Sequence, residues 1–488
     1  MLYYTRHSAE NARFQFVLKG ALRGGRKRMK WKKTIAAATV SALVLGTCAG
    51  YGNADEKKAS ASELFSTEEI LVPVWEGSVS YQESVLAVEE EDGSLAPVSL
   101  LYPIEEIVSV KSASLLVAYE AEKDYSVRDG KLVIKKDGAI PVLTYSEFHP
   151  ATGTAGFEDR NGGYVLWKEG SWFHSKQIVV TYTHAEGYAG YVPEGKGRLL
   201  ERTLQKLEGD TLNLLVYGDS ISTGANSSGH PSIHVSPNMP IYPELFAAGL
   251  KSLYGIETVN VYNASVGGTD SAWGLSNLRG GVLDKYEDID LAILAFGMND
   301  TVRDAESYAR NMQRMAKGLK SKYEDADILL VAPMLPNRDA YTFYGNQAYF
   351  YGALKEYETQ GIAAVDVTGV HAGLLEAKRY ADMTGNNVNH ANDYLARVYA
   401  QTLLKTLEIS DYGKPGKEDS SGGDSDSSGG AQSSQSSSAG GASQSENASE
   451  GSGSNGCGSA LGASAGIVGG LTALGILASK RKKDNDKK

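Results

Sequence analysis

The stretch Leu212-Asn-Leu-Leu-Val-Tyr-Gly-Asp-Ser-Ile-Ser222 decides how this chain is read. Leu212–Tyr217 is an apolar run of strand length, and Gly218-Asp219-Ser220 follows it directly. A serine on the turn that leaves a buried strand stands at the mouth of a sheet, where its hydroxyl and its backbone N–H both face the cleft. Taken alone, Gly-Asp-Ser is also an ordinary loop string, so the surrounding pattern has to decide.

Outward from that point, strand-like runs alternate with helical spacing. Thr258–Asn263, Leu291–Phe296, Ile328–Val331 and Ile362–Val367 read as further strands. Arg198–Leu207, Pro243–Tyr254, Ser271–Tyr286, Ala305–Tyr323, Asn346–Tyr357 and Asp393–Leu407 read as helices. This alternation over residues 198–410 predicts a flavodoxin-like α/β domain: a parallel sheet between two helical layers. Ligands of such sheets bind at the carboxyl ends of the strands.

Upstream, residues 66–195 read as an all-β accessory domain, a sandwich or jelly roll. Its apolar or β-branched runs are Ile70–Trp75, Ser114–Tyr119, Lys131–Ile134 and Gln177–Tyr182. Asp129-Gly130 and Asp137-Gly138 are hairpin-type turn dipeptides.

Three more polar groups fall at strand ends or just before the last helix. The second strand ends in Asn263-Ala-Ser-Val-Gly267-Gly268-Thr269, and paired glycines let backbone N–H groups approach a ligand closely. The third ends in Phe296-Gly-Met-Asn299-Asp300, which sets an amide with two N–H donors at the sheet edge. Gly385-Asn-Asn-Val-Asn-His390 precedes the last helix, and histidine is the side chain best suited to take and return a proton near neutral pH. Each string has an ordinary turn reading. Together and in this order they make up a nucleophile, two oxyanion donors and a general base.

These blocks resemble the SGNH, or GDSL-type, hydrolase family over Leu212–Leu407. The resemblance implies that Ser220 is the nucleophile and His390 the general base. It also implies an oxyanion hole formed by the backbone N–H groups of Ser220 and Gly268 with the Asn299 side chain. Gly268 is preferred to Gly267 on the family's spacing. In the family an Asp lies three residues before the His, and here Asn387 stands there. An Asn can orient an imidazole but brings no charge, so Asn387, Asp382 or a backbone carbonyl is left to fill that role. The family's proline after the His is Ala391 here. The reaction implied is ester hydrolysis through an acyl-serine, with no metal or organic cofactor. His230 and His234 flank Pro231, which disfavours a helical metal-binding pair.

Composition narrows the partners. With 48 Lys and Arg against 59 Asp and Glu, the chain carries a net charge of −11, the wrong sign for a nucleic-acid footprint. Its two cysteines, Cys48 and Cys457, are too few for a disulfide framework. Basic residues 30–33 and the apolar run Thr34–Thr47 read as a secretory signal within residues 1–54, with Met29 as its start. Residues 413–456 read as a Ser/Gly-rich flexible linker. Residues 459–479 are uncharged over the length of a membrane span, and the basic tail 480–488 follows. A transmembrane or sorting segment is expected there, holding the head on the outer face of a bacterial cell.

For the substrate, the order of a β domain before the hydrolase resembles carbohydrate esterases of family 2, and implies removal of acetyl groups from polysaccharides. A short-chain lipase or acylhydrolase is a second reading. A carbohydrate-binding surface protein with a weakened site is a third. Trp273, just past the oxyanion glycine, is a candidate substrate-binding ring, and Tyr341, Phe343, Tyr344, Tyr349, Phe350 and Tyr351 cluster after the fourth strand.

Overall fold

The computed structural model of the chain describes residues 64–153 and 156–410. The expected signal segment, Ser/Gly-rich linker, apolar span 459–479 and basic tail lie outside those residues. Among the described residues no helix is long and apolar enough to cross a membrane.

The N-terminal region contributes strands β1 (Val79–Val88), β2 (Glu106–Ser112), β3 (Tyr125–Arg128), β4 (Lys131–Ile134), β5 (Val142–Leu143), β6 (Gly156–Glu158), β7 (Tyr164–Leu166) and β8 (Gln177–Thr183). They form one four-stranded sheet in the order β2-β8-β1-β5, with β3–β4 and β6–β7 as separate two-stranded ribbons. These pairings are not the two face-to-face sheets of a jelly roll. The β3–β4 hairpin turns at Asp129 (φ 51°) and Gly130 (φ 69°), the paired positive φ values that an Asp-Gly turn supplies.

Two of the expected strands are absent. Within Ile70–Trp75 the chain leaves a short helix, Thr67–Ile70, capped by Ser66, and Pro73 has no N–H for a ladder. In Ser114–Tyr119, Leu115 takes φ 62° and the chain turns. The strands that do form there, β1 and β2, mix Ser, Glu and Gln with apolar residues, so their alternation is weak.

Beyond the helix Glu201–Lys206, strands β9 (Thr211–Gly218), β10 (Thr258–Asn263), β11 (Leu291–Ala295), β12 (Asp327–Ala332) and β13 (Ile362–Asp366) make an all-parallel sheet in the order β10-β9-β11-β12-β13. Alternation along β9 builds the two faces. Leu212, Leu214 and Val216 join a core with Leu245, Phe246 and Leu250 of helix Tyr242–Tyr254 and with Leu395, Val398 and Leu403 of helix Asp393–Thr406. Leu215 and Tyr217 point the other way, to Met312, Met315 and Leu319 of helix Ala305–Lys322 and to Phe350 and Leu354. The three-layer α/β/α arrangement follows from that period of two. The order reverses between β10, β9 and β11, so the crevice for a ligand lies at the carboxyl end of β9.

The two regions share core. Ile70 and Trp75 belong to the same apolar cluster as β9, while Leu86, Leu143, Leu166 and Phe173 pack with Ala381. Of the aromatic cluster, Phe343 meets Phe157 edge to face at 5.4 Å, and Arg160 lies 4.5 Å over Tyr344. Phe350 is buried and stacks on Tyr308 at 4.0 Å. A buried polar set then locks the regions together. A break in β1 between Ser80 and Glu83, with Gln82 at φ 46°, accompanies a Glu83 whose carboxylate is fully buried. That carboxylate accepts from Lys378 Nζ at 2.7 Å, Leu101 N at 2.8 Å and Tyr182 OH at 2.7 Å. Lys378 also donates to Ser84 O, Leu86 N donates to Asp382, and Gln177 donates to the carbonyls of Ala381 and Thr384.

Removing one member of a buried ion pair strands the other charge in a dry site, at a cost of about 3–5 kcal/mol. Lys378→Met is therefore expected to lower the unfolding free energy by that much, read as a fall in the urea midpoint. The double variant Glu83→Gln/Lys378→Met is expected to lose less, because no charge is left buried. Equilibrium urea unfolding of both variants checks the prediction.

Candidate active site

Strand β9 ends at Gly218, where a Cβ would come within 2.4 Å of Ala295 O on β11 and 2.6 Å of Ser222 Oγ. Only glycine lets the chain turn against its neighbour there. The Asp219 carboxylate, 1% exposed, turns inward and accepts from Ile221 N at 3.0 Å and Met298 N at 3.3 Å. Ser220 is thereby presented at the strand end, and its carbonyl is held by Ala225 N and Thr223 Oγ1.

His390 arrives on a loop organised by one side chain. Asn386 Oδ1 accepts from the backbone N–H groups of Val388, Asn389 and His390 at 3.0–3.1 Å. His390 Nε2 lies 2.9 Å from Ser220 Oγ. On the other side of the ring, His390 Nδ1 is 2.5 Å from Asn226 Oδ1, while Asn226 Nδ2 donates to Gly170 O at 3.1 Å. An amide oxygen only accepts, so Nδ1 carries the proton and Nε2 presents its lone pair to the serine hydroxyl. This is the tautomer a general base requires. Asn386 Nδ2, 3.1 Å from Nδ1, directs its protons to Asn389 Oδ1 at 2.9 Å and Glu169 Oε1 at 3.1 Å. Glu169 Oε2 stands 3.7 Å from Nδ1.

Asn387 does not orient the histidine. Its backbone is left-handed (φ 62°), and its side chain donates to Leu166 O of β7 at 3.1 Å. Asp382 is engaged by Leu86 N and by Arg379. The groups around Nδ1 are instead Asn226, Asn386 and Glu169. Asn386 lay within the string already singled out. Asn226 sits in the plain loop string Gly224-Ala-Asn226-Ser-Ser, and Glu169 belongs to the N-terminal region, so no spacing relative to His390 pointed to either.

The oxyanion candidates meet at the same edge. After β10 the chain zips along the end of β9 through Ala264 N to Val216 O at 2.8 Å and Val266 N to Gly218 O at 3.0 Å. That brings Gly267 beside Ser220, where a Cβ would lie 3.7 Å from the serine Cβ, and leaves Gly268 in open space at φ 76°. Asn299 Nδ2 spends one proton on Thr269 O at 2.9 Å, which leaves the second for a ligand. Below, the buried Asp300 carboxylate accepts from Ser271 N at 2.9 Å, Ser271 Oγ at 2.6 Å and Arg303 Nε at 2.6 Å. Arg303 also reaches Asp270 at 2.8 Å. The loops carrying Gly268 and Asn299 are thus tied to each other.

Trp273 lies half-buried against the second core in helix Ser271–Leu278. His230 and His234 belong to a turn, with His234 N donating to His230 O. Among the described residues no three His, Cys, Asp or Glu side chains are placed to hold a metal.

Residues 216–398 match the family of GDSL-like lipases and acylhydrolases. No curated protein is significantly similar to the chain. Among solved structures, a two-domain esterase active on acetylated mannans is 20% identical, over 44% of this chain and 54% of that one, with a TM-score of 0.35. The chain therefore spans about half the length of that esterase. Axe2, an acetylxylan esterase from Geobacillus stearothermophilus, is 15% identical over 41% of this chain and 96% of its own, TM-score 0.34. A member of the lipolytic G-D-S-L family from Veillonella parvula is 17% identical over 40% and 97%, TM-score 0.32.

Burial pushes the Asp219 carboxyl up to about 7, against the lowering pull of the Ile221 and Met298 N–H groups and of the His390 charge. A carboxyl raised in the folded state holds a proton that the unfolded chain has released, so folding stability falls as pH climbs from about 4 to about 7. Asp219→Asn, which cannot titrate, is expected to flatten that part of the curve. Thermal midpoints of both proteins between pH 4 and 8 test this.

Proposed function

We propose that this chain, whose residues 216–398 belong to the GDSL-like lipase/acylhydrolase family, hydrolyses carboxylic esters through an acyl-serine intermediate. The observation that carries the reading is the 2.9 Å contact of Ser220 Oγ with an imidazole whose far nitrogen is held as the N–H form. Ser220 Oγ attacks the ester carbonyl carbon while its proton passes to His390 Nε2. The tetrahedral oxyanion is taken by the backbone N–H groups of Ser220 and Gly268 and by the free Asn299 amide proton. The intermediate then collapses: the bond from the carbonyl carbon to the alkoxide oxygen breaks, His390 gives its proton to that oxygen, the alcohol departs and the acyl group stays as an ester of Ser220. Water then repeats the sequence: it attacks the acyl carbon as His390 takes its proton, the bond from that carbon to Ser220 Oγ breaks as His390 returns the proton to Oγ, and the carboxylic acid is released.

The substrate class we favour is an acetylated polysaccharide, which makes the enzyme a carbohydrate O-deacetylase. Support comes from the layout, a β region preceding and lining a hydrolase site, which resembles that of carbohydrate esterases of family 2. Glu169 and Gly170 bring that region to the rim of the site, beside His390 and Asn226. Residues 30–47 and 459–483, with the composition of a signal segment and of a basic-flanked apolar span, support export and retention at the cell surface.

Purified protein is expected to hydrolyse p-nitrophenyl acetate, to lose rate steeply with longer acyl chains, and to release acetate from acetylated glycans. Ser220→Ala is expected to reduce kcat by about 10⁴–10⁶. Equal rates on long-chain esters move the assignment to a lipase or acylhydrolase, and no hydrolysis of any ester by the wild type overturns it.

A further inference from the structure

The position where this family places the acid of its triad holds an amide here, and that amide points away from the histidine. The imidazole is nonetheless not left beside neutral groups alone. Glu169, on the loop between β7 and β8 of the N-terminal region, sets one carboxylate oxygen 3.7 Å from His390 Nδ1. It is fixed there from two sides: Trp167 Nε1 and Asn386 Nδ2 both donate to its other oxygen at 3.1 Å. Its neighbour Gly170 accepts from the same Asn226 that receives the Nδ1 proton. We propose that Glu169 is the charged positioning residue of this active site, delivered to the Ser220–His390 pair by the N-terminal β region rather than by the loop that carries the histidine. The proposal rests on the esterase reading of Ser220 and His390.

The two jobs of a triad acid are divided in this arrangement. Asn226 holds the tautomer and the ring orientation by accepting from Nδ1. Glu169 contributes the negative charge that favours the imidazolium formed when Ser220 gives up its proton, and takes no proton itself. An opposite charge within about 4–6 Å stabilises the charged form of a titrating group. The effect is mutual. Burial alone would raise the Glu169 carboxyl, but the nearby His390 ring, with the hydrogen bond from Asn386, holds it below its ordinary value. The other titratable groups that interact with the imidazole are Asp219, buried beneath the serine, and His230. Because the Glu169 side chain is 46% exposed, its influence is open to screening by salt.

Glu169→Gln in the full chain keeps the shape and removes the charge. Its kcat on p-nitrophenyl acetate is expected to fall about 10- to 100-fold with KM little changed. The loss is smaller than the roughly 10⁴ seen when a triad Asp becomes Asn, because Asn226 still sets the tautomer. Glu169→Asp is expected to recover part of the rate, and added salt to slow the wild type more than Glu169→Gln. An unchanged rate overturns the proposal, as does a rate loss with no changed salt response, since that marks a merely structural role. NMR titration of the Glu169 carboxyl in the wild type and in His390→Gln separates this result from failure of the esterase reading. Even without ester hydrolysis, a Glu169 carboxyl that titrates higher once the imidazole is gone supports the contact, and identical titrations overturn it.

Discussion

The whole site depends on holding one imidazole within a hydrogen bond of one hydroxyl, on a stretch of chain with almost no regular structure of its own. Between Lys378 and Asn392 the backbone makes one short 3₁₀ turn, Tyr380–Asp382, and otherwise only loops. Local bonds, chiefly those of Asn386 Oδ1, shape the turn at His390, but fixing each residue of such a segment costs about 1–2 kcal/mol of conformational entropy. The N-terminal region anchors its two ends. Glu83 grips Lys378, Leu86 N grips Asp382, Gln177 reaches the carbonyls of Ala381 and Thr384, and Asn392 reaches Ser84 and Gln177. All of these contacts are buried, where an unmade hydrogen bond is expensive, so the register of the histidine loop is specified sharply.

The serine side is built on the opposite principle. Ser220, Gly268 and Asn299 each leave a different strand, or the loop after it, at the same edge of a rigid parallel sheet, and short-range bonds finish the alignment. The Asp300 carboxylate joins the loops that carry the two donors, and Asp219 hangs Met298 N from the turn that bears the nucleophile. One half of the reaction centre is therefore positioned by the sheet. The other half is positioned by a neighbouring region that a minimal hydrolase would not need.

How much of this was legible depends on the range of the interaction concerned. Four of the parallel strands and the helix Asp393–Thr406 stood out because near-complete burial leaves long apolar runs, while the edge strand β10 showed instead as the alternation Val259, Val261 with Asn260. Helix Val367–Leu375 went unseen. Gly369 and Gly373 dilute its pattern, and its start is set by a cap, Asp366 accepting from Gly369 N at 2.7 Å. Ser271–Tyr286 read as one helix but stops at Leu278 and passes through a wide turn at Arg279–Leu283, where two glycines relax the backbone. In the N-terminal region β1 carried Glu83 and Ser84 for buried bonds to Lys378 and Asn392, and β2 mixed Glu, Ser and Lys with apolar residues, which masked their alternation.

The sequence by itself determined the polar groups of the candidate site. A hydroxyl, two kinds of amide donor and an imidazole were each announced by residues adjacent to a strand end or a helix start, because local chain geometry dictates where such groups point. The surroundings of the imidazole were decided only by tertiary structure. Asn387 stood at the family's acid position, yet its left-handed backbone aims it at β7, and its place is taken by Asn226 and Glu169 from other loops. Contacts between segments remote in sequence depend on how two regions pack, and packing leaves no fixed spacing along the chain from which they could be read.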